Sequence, residues 1–97
     1  MAEDDARLRR IKFRAWHRGF READLILGPF ADRHAGELSS AQLDAFERLL
    51  EAPDPTLYAW ITETEAVPEE HAGEVLELIQ SFRRFAHAAI DPTRRGA

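Results

Sequence analysis

The sequence predicts an all-α protein: a compact five-helix bundle forming a single domain over residues 1–97, with its core between about 7 and 90 and frayed ends. Three observations carry this. Apolar residues recur at spacings of three and four, which gathers them on one helical face. Alternating β-branched runs and Asn-Gly turns, the marks of hairpins, are missing. Helix starts and stops are written at intervals, in Ser39-x-x-Gln42, Pro53, Asp54-Pro55 and Asp91-Pro92. A chain of 97 residues holds one hydrophobic core and no second.

The first helix is read from Leu8, Ile11 and Ala15, with Phe13 and Trp16 beside that stripe, and ends near His17. The second begins near Phe20 and carries Phe20, Ala23, Leu27, Phe30 and Ala31. Leu25 and Ile26 broaden its apolar face, so the helix is expected to be buried on most sides. Gly28-Pro29 predicts a kink or an early stop, because proline lacks a backbone donor and clashes with the preceding turn. Ser39 and Gln42 form a capping-box pattern that opens the third helix, lined by Leu43, Phe46, Leu49 and Leu50 and closed by Pro53. In the fourth, Asp54 is expected to cap and Pro55 to take the first helical position, with Leu57, Trp60 and Ile61 on one face. "TETEAVP" reads as a polar loop. The last helix is expected to open near Pro68-Glu69, to run along Val75, Leu78, Ile79, Phe82, Ala86 and Ala89, and to stop at Asp91-Pro92 before the frayed tail "TRRGA".

Composition removes several kinds of function. Hydrophobic residues at 44% and charged residues at 32% are globular proportions. With no cysteine there is no disulfide or thiol chemistry. No apolar run approaches a membrane span, and "MAEDDARLRR" has no apolar signal core, so membrane insertion and a secretory signal are not expected and the cytoplasm is the expected address. Histidines 17, 34, 71 and 87 show no metal-ligand spacing, so no metal site is expected. Ser39, Ser40 and Ser81 show no nucleophile elbow, and the five glycines form no phosphate loop. No catalytic residue is assigned, and independent catalysis is not expected.

The net charge of −5 is unevenly spread. Arg7, Arg9, Arg10, Lys12, Arg14, Arg18 and Arg21 form a basic stretch without an acid. Glu37 to Glu77 holds eleven acids and one base, Arg48. A cationic N-terminal face is therefore set against an anionic middle. The acidic total and the lack of a recognition-helix pattern argue against nucleic-acid binding.

Within the basic stretch, "AWHRGFREADLILGPFAD" concentrates Arg18, Gly19 and Glu22 at the junction of the first two helices. The residue types allow two readings. In one, Gly19 takes a left-handed conformation that ends a helix, Arg18 sits at the negative end of that helix, and Glu22 lies in the first turn of the next. In the other, a glycine notch admits a partner's backbone between a forked cation and an anion. Trp16, Phe20 and Arg21, types enriched at binding hot spots, stand around it.

The chain resembles the SdhE family of flavinylation factors over roughly residues 14–90. The resemblance rests on "RGFREADLILGPFAD", on "LLEAPDPTLYAWI" and on the amphipathic last helix. The family's R-G-x-x-E signature falls on Arg18, Gly19 and Glu22. Ala23 departs from the family in standing where a larger apolar residue is frequent. The resemblance implies an assembly factor that binds the flavoprotein subunit of succinate dehydrogenase, or of fumarate reductase, and promotes covalent attachment of FAD. The motif supplies no pocket to hold FAD tightly, so FAD is expected to be the client's ligand, and the factor is expected to be a monomer. The resemblance also implies partner contacts through Arg18, Gly19 and Glu22, with Trp16, Phe20 and Arg21 around them. The competing expectation is an antitoxin-like regulatory protein, a role attached to relatives of this family.

Overall fold

The computed structural model describes residues 2–90. Five α-helices follow one another: α1 Ala2–Trp16, α2 Arg21–His34, α3 Ser40–Leu50, α4 Asp54–Ile61 and α5 Glu74–Ile90, with a 3-10 turn at Ala35–Glu37 after α2. The all-α, five-helix expectation is met. The predicted stop at Asp91-Pro92, the frayed tail and the side chain of Ala89 lie outside what the structure describes.

One core forms where the helices meet. Ile11 and Ala15 of α1, Leu27 and Phe30 of α2, Phe46 of α3, Leu57 and Ile61 of α4 and Ile79 of α5 are all essentially inaccessible to solvent. Phe30 is the hub, meeting the Phe46 ring edge-on at 5.5 Å and the Phe82 ring at 5.7 Å. Burial of such side chains supplies the main stabilising term, about 1.5–3 kcal/mol for each large apolar group.

Local chemistry fixes the helix ends. Ser39 Oγ accepts from the Gln42 backbone N–H at 3.1 Å, and Gln42 Oε1 accepts from the Ser39 N–H at 2.8 Å, so the predicted capping box is present. The same Gln42 donates from Nε2 to Glu74 at 2.5 Å and thereby ties the start of α3 to the start of α5. Arg7 of α1 bridges Asp44 and Glu47 of α3 at 2.5 and 2.7 Å. Those hydrogen bonds, Glu47's first, hold its guanidinium pKa above the ordinary value. After α4 the chain turns through Glu63 at φ 62°. The Glu63 N–H bonds the Trp60 carbonyl and the Thr64 N–H the Ala59 carbonyl, a Schellman closure with glutamate in the left-handed position.

Three sequence expectations are corrected and a fourth is narrowed. Of the kink or early stop expected at Gly28-Pro29, the stop does not occur: α2 runs through Pro29 to His34. Burial of Leu27, Phe30 and Ala31 on both sides outweighs a proline penalty of about 3 kcal/mol. Nor is α2 buried on most sides, because Leu25 is 58% exposed. Asp54 does not cap α4; Pro53 holds the cap position and Asp54 lies in the first turn, its carboxylate engaged by Arg18. Finally, α5 opens at Glu74 rather than near Pro68. Pro68 starts a single turn, its carbonyl accepting from His71 and Ala72, and the chain bends at Gly73 before the helix begins. Leu76 then takes the buried place that the stripe gave to Leu78, which is 42% exposed.

Gly28 has a use the sequence did not reveal. A Cβ there would lie 2.2 Å from Trp16 Cδ2, so the absence of a side chain is what lets the indole of α1 lie on the backbone of α2. The indole Nε1 donates to Asp32 at 3.1 Å, one turn further along α2. Gly28→Ala is expected to displace the indole and break that bond. Overpacking of about 1–3 kcal/mol works against a helix-propensity gain of about 1 kcal/mol, for a net loss near ~1 kcal/mol. Thermal unfolding and a red shift of tryptophan emission check it; an unchanged spectrum would contradict the packing.

Candidate functional site

The junction between α1 and α2 is built from a few residues whose side chains divide between inside and outside. Helix α1 ends at Trp16, and Gly19 turns the chain with φ 85°, a left-handed conformation that glycine adopts without a Cβ penalty. Phe20 precedes α2 in extended conformation, and its carbonyl accepts the first helical bond, from Asp24 at 2.9 Å. Asp24 also reaches back: its Oδ1 accepts from the Arg18 backbone N–H at 3.1 Å, closing the corner on itself.

Arg18 points inward, with a side chain only 8% exposed. Nη1 donates to the Leu50 carbonyl at 2.5 Å and Nη2 to the Ala52 carbonyl at 2.6 Å. Nη2 also meets the Asp54 carboxylate at 2.7 Å. A helix leaves its last carbonyls without intrahelical partners, and here a planar fork from 32 and 34 residues away supplies donors beyond the end of α3. Arg18 therefore does sit at the negative end of a helix, but of α3 rather than α1. The α1–α2 corner is thereby pinned to the α3–α4 loop. The Phe20 ring closes the same side, 5.2 Å from the Tyr58 ring of α4.

The outer side carries the remaining residues. Gly19 faces open space: a Cβ built on it meets no atom within 4 Å. Arg21 and Glu22 are exposed in the first turn of α2, and neither forms an ion pair or hydrogen bond among the described residues. Glu22 lies where an anion complements the helix dipole. Trp16 presents one edge of its indole, the rest being held against Gly28. His17 is exposed and stacks on Phe13 at 4.1 Å, its Nδ1 lying 2.8 Å from the Phe13 carbonyl. A shallow cleft lined by Phe13, Arg14, His17, Arg18 and Asp54 leads from the corner to the outer face of α1. On that face Arg9, Arg10 and Arg14 are exposed without an ion pair among the described residues.

Of the six residues singled out from the sequence, Gly19, Arg21 and Glu22 are exposed at the corner, while Trp16, also partly exposed, lies against Gly28 and Asp32 further along α2. The structure turns Arg18 and Phe20 toward the α3–α4 side. Sequence reasoning missed Asp24 and Asp54, the two carboxylates that hold Arg18. The signal for Asp24 was its place in the first turn of α2; Asp54 had none, because its contact spans most of two helices. Among the described residues no group of three or more His, Asp or Glu side chains could hold a metal ion, and no helix is long and apolar enough to cross a membrane.

This geometry defines a small all-helical protein that presents charged side chains around a turn tied down by hydrogen bonds. The particular family follows from comparison with known proteins. The profile of a family described as "Flavinator of succinate dehydrogenase" matches residues 9–83, a span that takes in the corner and the α3–α4 loop. The chain belongs to this family. It is 42% identical over 78 residues to a protein of Acetobacter pasteurianus named FAD assembly factor SdhE, covering 78% of this chain and 72% of that one. A FAD assembly factor SdhE of Idiomarina loihiensis is 34% identical over 73 residues, 75% of this chain and 80% of the relative. The mitochondrial succinate dehydrogenase assembly factor 2 of Dictyostelium discoideum is 37% identical over 84 residues; this chain spans 56% of its length. These relatives are named as assembly factors, not as enzymes.

Proposed function

We propose that this protein binds the flavoprotein subunit of succinate dehydrogenase, and that of fumarate reductase where a cell makes one, and promotes covalent attachment of FAD. The observation that carries the reading is the division of the corner. Arg18 braces it from within through Leu50, Ala52 and Asp54, while Gly19, Arg21 and Glu22 stand outward. A contact surface held this firmly loses little conformational freedom on docking. The glycine notch allows close backbone approach, and Arg21 and Glu22 offer opposite charges that fix orientation.

The role is positional. By holding mobile parts of the client, the factor brings the client's histidine and the flavin methyl group into a productive approach, while the bond-making chemistry stays with the client and its cofactor. FAD remains the client's ligand, and the factor acts as a monomer. The exposed arginines of α1 steer encounter with an acidic client surface, so association slows as salt rises. The test is removal of the gene, followed by in-gel flavin fluorescence of the dehydrogenase subunit after denaturing electrophoresis. Loss of the fluorescent band at unchanged subunit level is expected. A full band would end the proposal.

A further inference from the structure

The corner is too small to be a whole interface. A specific protein–protein contact covers about 800 Å² on each partner and roughly 20–30 residues, far more than Gly19, Arg21 and Glu22 provide. The surface that continues it is legible on α2. Glu22, Leu25, Pro29 and Arg33 are spaced by three, four and four residues and so form one stripe along the helix. That stripe runs from the charged corner into a groove of about 700 Å³ between α2 and α5. Leu78, Phe82 and Phe85 line its far wall at spacings of four and three. Leu25 is 58% exposed and Phe85 77%, an investment of large apolar side chains in solvent that the core does not use.

We propose that this groove is the apolar half of the docking surface, seating an apolar segment of the flavoprotein that carries an acidic side chain opposite Arg33. The proposal rests on the function proposed above. Its floor is aliphatic and aromatic, the composition of an interface centre, and the charged corner at one end serves as its polar rim. Arg33 sits at the other end, its guanidinium 5.9 Å from the centre of the Phe82 ring, with no carboxylate partner among the described residues. A carboxylate arriving with the client gives that cation its counterion. A second copy laid antiparallel along the same stripe would set its own Glu22 opposite Arg33, and the sedimentation arm of the test separates that self-association from client binding.

The test compares the wild-type chain, the double variant Leu25→Ser/Phe85→Ser, Arg33→Glu and Glu22→Ala for binding to the isolated flavoprotein subunit by calorimetry. Sedimentation of each factor alone runs in parallel. The double variant changes exposed positions, so its helical circular dichroism and melting midpoint should match wild type. Its Kd is expected to rise about tenfold or more, the loss typical of truncating two central contacts, and Arg33→Glu should weaken binding in the same sense. Groove variants that bind as tightly as wild type, while Glu22→Ala binds weakly, overturn the groove and leave the corner standing. Failure of the wild-type chain to bind the subunit overturns both. A wild-type dimer that the double variant dissociates overturns the groove as a client site and makes it a self-interface.

Discussion

Arg18→Ala should lower the stability of the isolated domain by about 2–4 kcal/mol, a fall in melting midpoint of roughly 10–20 °C for a chain of this size. The alanine leaves the Leu50 and Ala52 carbonyls and the Asp54 carboxylate without the fork that serves them. Each lost donor in a half-buried place costs about 1–3 kcal/mol, partly recovered because Asp54 still reaches water. Arg18→Lys should recover less than half of the loss, since one ammonium cannot match the planar spread of two bonded nitrogens. Covalent flavinylation by Arg18→Ala should fall with the folded fraction and return when the assay is cooled. An Arg18→Ala chain that melts like wild type yet fails to bind the flavoprotein would show the guanidinium acting outward instead.

Glu22→Ala should do the reverse. Glu22 is exposed and touches no partner among the described residues, so only its favourable place in the first turn of α2 is lost, worth about 0.3–1 kcal/mol and largely offset by alanine's helix propensity. The melting midpoint should stay within a few degrees of wild type, while the rate of covalent flavin attachment falls at least about tenfold, as for a hot-spot contact. Gly19 gives a mixed result. At φ 85° any L-residue adds about 1–2 kcal/mol of backbone strain, yet a Cβ meets open space, so Gly19→Ala tests strain and Gly19→Arg adds obstruction. Unequal flavinylation by two Gly19 variants of similar stability would separate obstruction from folding. A Glu22→Ala chain that flavinylates normally would remove the outward anion from the account.

Much of this was written locally and therefore readable. The capping box at Ser39 and Gln42, the glycine turn and the helical periodicities depend on residues within one turn of each other. What escaped reading is non-local. Nothing near Arg18 in sequence announces that its guanidinium will find Leu50, Ala52 and Asp54, and the local pattern offered only the end of α1 or an outside partner for it. Gly28 looked like an interruption beside Pro29 because the indole that covers it comes from another helix. Leu25 fits an apolar stripe, and periodicity tells that a face is apolar without telling whether a neighbour covers it. Leu25, Leu78 and Phe85 are left uncovered, and the groove they line became visible only with α2 and α5 side by side.

The most direct measurement uses purified flavoprotein subunit lacking its flavin, free FAD and the factor, and follows covalent flavin over time by fluorescence after denaturation. Attachment should be fast with the wild-type chain, slow with Glu22→Ala despite its intact fold, and as slow as without any factor when Glu22→Ala is combined with Leu25→Ser/Phe85→Ser. Equal rates with and without the wild-type chain would contradict the account at its root.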